Sequence, residues 1–315
     1  MLLKYMKQYI EKLFQSLIAM ALLITAVLSI CIFSSASILD EIQNMEDVQI
    51  EEEPDDSVVV MELNRPRDLL LEQQLKEYVE QYRYSGQDIA YCIQDMDNHE
   101  IYAYNADQDF FAASIYKLSL AMLYEDMIAE GIYERESLLY FDYSMIEDYG
   151  HLLSVYSPGS YVPLDDILDI LIRYSDNSAG HILFDHLGGW LSYKQMMRVY
   201  TDVECEEWYT YDNITCAHVV SDVLACLYEN ADRYQHLIEV MTEATVGMFL
   251  DGNIQIGMPQ KYGSYDVICN AAGFVEADIP YTIVVLTSFG YNGQQIMADL
   301  NEIVYQRMCE DVLHQ

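Results

Sequence analysis

The spacing of hydrophobic residues changes along the chain, and each change marks an expected element. Leucine and valine recur at helical spacing in residues 67–82, which predicts an opening helix. Two apolar, strand-like runs follow at 88–96 and 100–106, and the polar residues 97–99 between them predict a hairpin turn. The folded part of the chain is therefore expected to begin with one helix and two antiparallel strands.

A helical rhythm dominates the middle of the chain. The apolar run after Ser114 predicts a helix that stops at Gly131, because glycine is a natural residue for a helix C-terminus. From about residue 130 to about residue 260 the pattern stays mostly helical, with polar breaks at 157–159 and 188–189.

Strand patterns return near the end of the chain. Residues 266–275 and 281–289 are strand-like runs separated by a turn, and residues 292–313 have helical spacing. Strands at both ends with helices between them predict one α+β domain. We expect an antiparallel sheet built from N- and C-terminal strands, flanked by helices, with an inserted, mainly helical subdomain.

The first 37 residues differ from the rest. Lys4, Lys7 and Lys12 precede an uncharged apolar stretch, Leu17–Phe33. This stretch is at the short limit for a membrane-spanning helix and slightly longer than a usual signal-peptide core. Lysines before the stretch favour a cytoplasmic N-terminus. We expect residues 1–37 to be a membrane anchor that leaves the rest outside the cytoplasm; the alternative is secretion after signal cleavage.

Charge defines the next segment. Residues 40–56 contain nine acidic residues and no basic ones, and their mutual repulsion predicts an extended acidic linker, which we place at 38–64. The folded domain then covers 65–315. The whole chain of 315 residues has 52 acidic and 15 basic residues and a formal net charge of −37. Such a charge repels a phosphate backbone and disfavours nucleic acid as a partner.

The cysteines and histidines indicate no metal site. The seven cysteines are scattered and include no CxxC pair, so neither a disulfide framework nor a zinc site is expected. His181 and His186 are five residues apart, which is not a metal-ligand spacing on a helix. We therefore expect no metal and no cofactor. Asn213 begins a formal glycosylation sequon, a triplet that is common by chance.

Three short polar motifs carry candidate chemistry. Ser114 and Lys117 are one helical turn apart, so the lysine could take the proton of the serine hydroxyl. Ser175-Asp176-Asn177 follows an apolar helical run, where such residues also commonly end a helix. Lys261-Tyr262-Gly263 leads into a strand-like run, where the glycine could be a simple bulge. Each motif alone has an ordinary structural interpretation.

Together, the motifs resemble those of a known superfamily. S-x-x-K, S-D-N and K-x-G occur in the order seen in class A β-lactamases and penicillin-binding proteins. The stretches 157–188 and 271–288 also resemble the segment around the family's S-D-N and its last two strands. On this basis the chain is similar to the β-lactamase-like serine hydrolases and D,D-peptidases over about residues 65–312.

The resemblance implies roles for individual residues. Ser114 would be the acylated nucleophile and Lys117 its proton acceptor. Ser175 would pass a proton to the leaving group with help from Lys261, and Asn177 would hold the substrate's amide.

The K-x-G motif carries further implied roles and one departure. The oxyanion would lie between the backbone N–H groups of Ser114 and Ser264, the residue after Gly263. Tyr262 stands where the family has threonine, whose hydroxyl contacts the substrate carboxylate. Recognition of a penicillin or D-Ala carboxylate is therefore expected to differ in this chain.

A second departure concerns deacylation. Class A β-lactamases carry an E-x-x-x-N loop whose glutamate activates the deacylating water. Glu204, Glu206 and Glu207 lie in the corresponding region, and none is followed four positions later by asparagine. We therefore expect acylation with slow deacylation and poor β-lactamase activity.

Two functions remain open at this stage. One is an outward-facing, membrane-tethered serine hydrolase that acts on a β-lactam, a cell-wall peptide or a related amide or ester. The other is a membrane-tethered binding or sensing module with the same fold and little or no turnover.

Overall fold

The computed structural model describes residues 66–147, 150–203 and 212–309. The expected anchor at 1–37 and the expected linker at 38–64 lie outside the described residues. Within the described ranges, no helix combines the length and the apolar character that a membrane crossing requires. The described residues all belong to the folded domain expected at 65–315.

A five-stranded antiparallel sheet forms the centre of the domain. Its strands stand in the order β2-β1-β9-β8-β7, so the two N-terminal strands join the three C-terminal strands through the β1–β9 pair. The five strands are β1 (Ile89–Asp95), β2 (Ile101–Tyr104), β7 (Gln260–Tyr265), β8 (Ile268–Val275) and β9 (Tyr281–Thr287). The expected hairpin of β1 and β2 and the late completion of the sheet are confirmed.

Helices cover both faces of this sheet. The opening and closing helices, α1 and α9, match the helices expected at 67–82 and 292–313. The nine helices of four or more residues in the described ranges are α1 (Pro66–Glu80), α2 (Tyr116–Ala129), α3 (His151–Val155), α4 (Leu164–Arg173), α5 (Asn177–Leu187), α6 (Trp190–Met196), α7 (Ala217–Glu229), α8 (Gln235–Ala244) and α9 (Gly293–Met308). The α+β prediction with a mainly helical insertion is confirmed.

Two hydrophobic cores lie on opposite faces of the sheet, because successive strand residues point to opposite sides. One core joins Ala272 and Val284 to the inserted helices α2, α4, α5, α7 and α8. The other joins Ala271 and Val285 to α1 and α9. The site described below lies on the side of the inserted helices.

The helical middle also contains short strands that the sequence pattern did not predict. β4 (Leu138–Phe141) pairs with β5 (Ser160–Pro163), and β3 (Phe110–Phe111) pairs with β6 (Ile214–Thr215). Each strand has four residues or fewer, which is too short for a period-2 pattern to be distinguished from helical spacing. The β3–β6 pair matters for function because it brings residues 213–215 next to the turn before Ser114.

The K-x-G motif occupies a strand of its own, which corrects one expectation. Lys261, Tyr262 and Gly263 lie inside β7, at the edge of the sheet, and the run at 266–275 forms the next strand, β8. Gly263 pairs in register with Asn270, so it is part of a continuous ladder and not a bulge.

The thiols in the described ranges form no disulfide. Cys92, Cys216 and Cys269 are buried, and Cys226 and Cys309 are partly buried. Burial raises the pKa of the Cys92 thiol to about 11. Cys31 and Cys205 lie outside the described residues.

Candidate active site

Ser114 lies in a short 3-10 turn that connects β3 to α2. The turn covers Ala113–Ile115, and α2 starts at Tyr116, so the helix begins after Ser114. Ser114 is half-buried, whereas Ala113 is buried and has a φ of 49°. A left-handed alanine is disfavoured by about 1–2 kcal/mol, so this turn is held in place by its surroundings.

Lys117 lies on the first turn of α2 with no exposed surface. Its Nζ donates to the backbone oxygen of Ser175 and to Asn177 Oδ1, the latter at 2.6 Å, and lies 3.5 Å from Ser175 Oγ. A neutral amine can donate both of the first two hydrogen bonds and still keep its lone pair. The lysine of the S-x-x-K motif is therefore oriented by the S-D-N motif.

The S-D-N motif forms the junction between α4 and α5. Ser175 has a φ of 54°, another left-handed residue that is not glycine. Asp176 is buried and caps α5, since its carboxylate accepts from the N–H of Ala179 at 2.9 Å and from that of Leu152 at 3.0 Å. Asn177 begins α5 and is exposed. Asp176 thus fixes the junction, while Ser175 and Asn177 face the lysine.

Lys261 approaches Ser175 from the sheet. It is 1% exposed, and its Nζ donates to Ser175 Oγ at 3.0 Å and to the backbone oxygen of Tyr262 at 2.7 Å. Burial, and next the nearby charge of Lys117, lower the pKa of Lys261 well below its ordinary value. Two buried lysines from different elements therefore meet at one serine hydroxyl.

Gly263 lies directly against the turn that carries Ser114. A Cβ atom at position 263 would lie 2.7 Å from Ser114 N and 2.9 Å from the backbone oxygen of Ala112, both closer than real side chains allow. Only glycine fits between the strand and the turn. Ser264 follows at the exposed end of β7.

Tyr262 lies beside Lys261 on the edge strand β7. Its partly buried ring packs with the core that contains α1 and α9, and it stacks on Phe249 with ring centroids 4.4 Å apart and planes 12° apart. The Nζ of Lys261 lies 4.4 Å from the Tyr262 ring centroid. The ring therefore lies beside the ammonium group of Lys261, whereas the backbone of Gly263 faces Ser114.

A cleft of about 630 Å³ opens beside Asn177. Its described lining includes Tyr116, Trp190, His181 and Glu147, and Glu147 Oε1 lies 2.6 Å from His181 Nδ1. Glu147 is an acid close to the motif residues and belongs to none of the three motifs. Glu204, Glu206 and Glu207 lie outside the described residues, so the expectation about them stays a prediction.

Two asparagines also belong to the site, although no motif identified them. Asn270 is fully buried on β8, and Asn213 lies just before β6; both donate side-chain hydrogen bonds to the turn before Ser114. Because the side-chain nitrogen of Asn213 donates a hydrogen bond to the backbone oxygen of Ala113, the sequon asparagine contributes to the fold. The signal for Asn270 was available in the sequence, since an amide inside an apolar strand must find partners.

Comparison with known proteins supports the motif-based interpretation. The model of the family described as "Beta-lactamase enzyme family" matches residues 70–308. The chain belongs to this family. No curated protein matches the chain.

Solved structures of PBP-A and of β-lactamases share the fold of this family member. A PBP-A mutant solved as an acyl-enzyme complex with penicillin G superposes with a TM-score of 0.66 at 19% identity, covering 76% of this chain and 96% of that one. TLA-1 extended-spectrum β-lactamase gives a TM-score of 0.66 at 20% identity, with 76% and 99% covered. A β-lactamase from Chitinophaga pinensis gives 0.65 at 18%, with 75% and 98% covered.

In the described part of the chain, no group of three or more His, Cys, Asp or Glu residues has a geometry suited to a metal ion. The polar side chains of the three motifs include two lysines, two serines and an asparagine, which suit proton transfer and hydrogen bonding to an acyl substrate.

Proposed function

We propose that this family member is a serine hydrolase that forms an acyl-enzyme at Ser114. Its substrate would be a β-lactam, a cell-wall peptide or a related amide or ester. The observation that carries the proposal is the convergence of buried Lys117 and buried Lys261 on Ser175. Burying two cations side by side is costly, so the fold retains them at a free-energy cost that catalysis explains and packing does not.

The proposed acylation follows from this arrangement. Ser114 Oγ attacks the carbonyl carbon of the substrate while its proton moves to Lys117, and the carbonyl oxygen becomes an oxyanion near the N–H groups of Ser114 and Ser264. When the tetrahedral intermediate collapses, the leaving nitrogen or oxygen takes a proton from Ser175 Oγ, which is replenished through Lys261 or Lys117. The lowered pKa of Lys261 makes its proton easier to give up.

We also propose that deacylation is slow. None of Glu204, Glu206 and Glu207 has the spacing of the E-x-x-x-N loop. Without the glutamate that this loop supplies, water attack on the ester loses the general base catalysis that typically contributes about 10²–10⁴-fold in rate. A long-lived acyl-enzyme is therefore expected, and efficient β-lactamase turnover is not.

The location of the enzyme is a further part of the proposal. Lys4, Lys7, Lys12 and the apolar stretch Leu17–Phe33 support a membrane anchor with the catalytic domain outside the cytoplasm. The intact mass of the protein recovered from membranes and from the medium distinguishes the alternatives. A full-length mass supports the anchor, whereas a mass that lacks about the first 36 residues indicates secretion after cleavage.

Intact-mass spectrometry of the full-length chain in detergent tests the chemistry. The chain is incubated separately with benzylpenicillin and with a p-nitrophenyl ester, beside Ser114→Ala and the control Ser154→Ala, which removes an exposed hydroxyl on α3. We expect a persistent adduct in the unmodified chain and in Ser154→Ala, and none in Ser114→Ala. An adduct that survives Ser114→Ala would refute the assignment of the nucleophile, and rapid hydrolysis without an adduct would refute slow deacylation.

The contacts of Tyr262 support a second candidate function, a binding or sensing module with little turnover. Its ring lies beside Lys261 and stacks on Phe249, at the position where the family has a small hydroxyl residue. This candidate predicts saturable binding of a β-lactam or cell-wall peptide without an adduct. Calorimetry with the same probes distinguishes it from the enzyme.

A further inference from the structure

The three carbonyl groups that precede Ser114 are all held by asparagine side chains. Asn270 Nδ2 donates to the backbone oxygen of Phe111 at 3.0 Å and to that of Ala112 at 3.3 Å. Asn213 Nδ2 donates to the backbone oxygen of Ala113 at 3.0 Å. The two asparagines come from different elements and reach the same turn, which contains the left-handed Ala113.

Asn270 is the more tightly fixed of the two. It has no exposed surface, and its Oδ1 accepts a hydrogen bond from the N–H of Thr287 on β9 at 3.1 Å. The Thr287 N–H can only donate, so the Asn270 amide must turn its oxygen toward it. The Nδ2 atom of Asn270 then points toward the two carbonyls. The sheet thereby sets the orientation of the amide, and the amide holds the turn.

We propose that Asn270 is a positioning residue for acylation at Ser114. It fixes the backbone of Phe111 and Ala112, and through this backbone it places the N–H and the hydroxyl of Ser114, without touching the substrate. The inference rests on the proposed acyl-enzyme chemistry. A shift of about 1 Å in the reacting groups can cost about 10²-fold in rate, so a residue with this role should affect the rate of acylation more than substrate binding.

The substitution Asn270→Asp replaces the side-chain NH2 group with an oxygen and tests the positioning role directly. An aspartate here would replace the donor with an oxygen that faces two carbonyl oxygens, so only the protonated acid could donate to the turn. Burial and the facing oxygens would raise the pKa of the introduced carboxyl. The neighbouring Cys269 thiol has its pKa raised to about 11 by burial, so it stays protonated over the working range.

The measurement is the acylation of the full-length chain by benzylpenicillin, followed by quenched intact-mass spectrometry between about pH 5 and about pH 9. Saturation kinetics separate the rate constant of acylation from the dissociation constant of the initial complex. The ratio of variant to wild-type rate constants removes the pH dependence that the two proteins share. We expect this ratio to fall about 10-fold or more with rising pH, with the dissociation constant unchanged.

Asn301→Asp is a matched control. Asn301 also has no exposed surface, accepts from the Tyr281 hydroxyl at 2.8 Å and donates to the backbone oxygen of Leu250 at 2.9 Å, in the core that contains α1 and α9. It makes no hydrogen bond to the turn before Ser114. We expect this variant to lose stability in a pH-dependent way while its folded fraction acylates at a pH-independent ratio to wild type.

Several outcomes would overturn the proposal. A ratio for Asn270→Asp that stays flat with pH, or that follows the ratio of Asn301→Asp, assigns Asn270 to folding alone. If Asn270→Asp does not fold, Asn270→Ser replaces it, and acylation of its folded fraction at the wild-type rate contradicts the positioning role. If the unmodified chain forms no adduct with any probe, the acyl-enzyme proposal itself fails, which is a different result from a flat ratio.

Discussion

Gly263 and Asn270 face each other across β7 and β8, and both reach the turn that carries Ser114. Gly263 leaves room for the turn, since a Cβ there would lie 2.7 Å from Ser114 N, and Asn270 supplies an amide that bonds to the carbonyls of Phe111 and Ala112. This cross-strand pair therefore combines glycine, which lets the turn approach the sheet, with a side-chain amide that hydrogen-bonds to the turn. The central sheet acts as the rigid support of the nucleophile.

The first prediction concerns Gly263→Ala. The added methyl group would push against backbone atoms that cannot rotate away, so the turn or the strand must move. We expect about 10²-fold slower acylation and about 1–3 kcal/mol lower free energy of unfolding. The measurements are acylation kinetics by mass spectrometry and denaturant titration.

Gly273→Ala is the control for Gly263→Ala. A Cβ at position 273 would lie 2.5 Å from the backbone oxygen of Pro259, in the same sheet but away from Ser114. It should lower stability to a similar degree without changing the acylation rate of the folded protein. Equal losses of acylation rate in both variants would contradict the special role of Gly263.

The second prediction concerns Lys117→Met. Without the amine the proton of Ser114 has no acceptor, so the acylation rate should fall about 10²–10⁴-fold. Stability should be maintained or increased, because a buried polar group is replaced by an apolar one of similar length. Lys194→Met is the control: Lys194 is also buried but donates to the backbone oxygen of Ile214, and its loss should leave acylation within a few-fold. Similar acylation in Lys117→Met and wild type would rule out Lys117 as the base.

The third prediction is a pH dependence of stability caused by Lys261. A lysine with a lowered pKa binds fewer protons in the folded chain than in the unfolded one, so its contribution to stability rises with pH until the unfolded lysine deprotonates near 10.5. The difference in unfolding free energy between wild type and Lys261→Met should therefore increase with pH, by at most about 1.4 kcal/mol per pH unit. Denaturant titrations from neutral pH to about pH 10 measure it. A difference that does not change with pH would contradict the lowered pKa.

The fourth prediction concerns Tyr262. In Tyr262→Thr the ring beside Lys261 is replaced by a compact hydroxyl that can donate to a carboxylate. We expect acylation by benzylpenicillin to accelerate about tenfold, which corresponds to one added hydrogen bond to a charged group. Acylation by the carboxylate-free p-nitrophenyl ester should change less. Tyr262→Phe keeps the ring and should behave like wild type; an equal acceleration of both probes would show that the ring only restricts access.

The sequence pattern predicted the long elements of the fold because each of them buries one face. The apolar residues on that face recur at the spacing of a helix or of a strand. The α1 helix, the β1–β2 hairpin, the strands β8 and β9 and the closing helix α9 all appear where apolar spacing indicated them. The short strands β3 to β6 were missed, because two to four residues carry no period. β7 was read as the lead into β8, since the tight turn at residues 266–267 separates them by only two residues.

The sequence by itself determined which chemical groups are present, and the order of S-x-x-K, S-D-N and K-x-G was enough to indicate the family. Local spacing could bring Lys117 to within one helical turn of Ser114, because both belong to one short segment. Tertiary structure decided that Lys261, 147 residues further along the chain than Ser114, reaches the same Ser175 as Lys117. It also decided that Asn270 and Asn213 bond to the turn, because strand register and burial depend on the packing of the whole sheet and are not encoded in any local pattern.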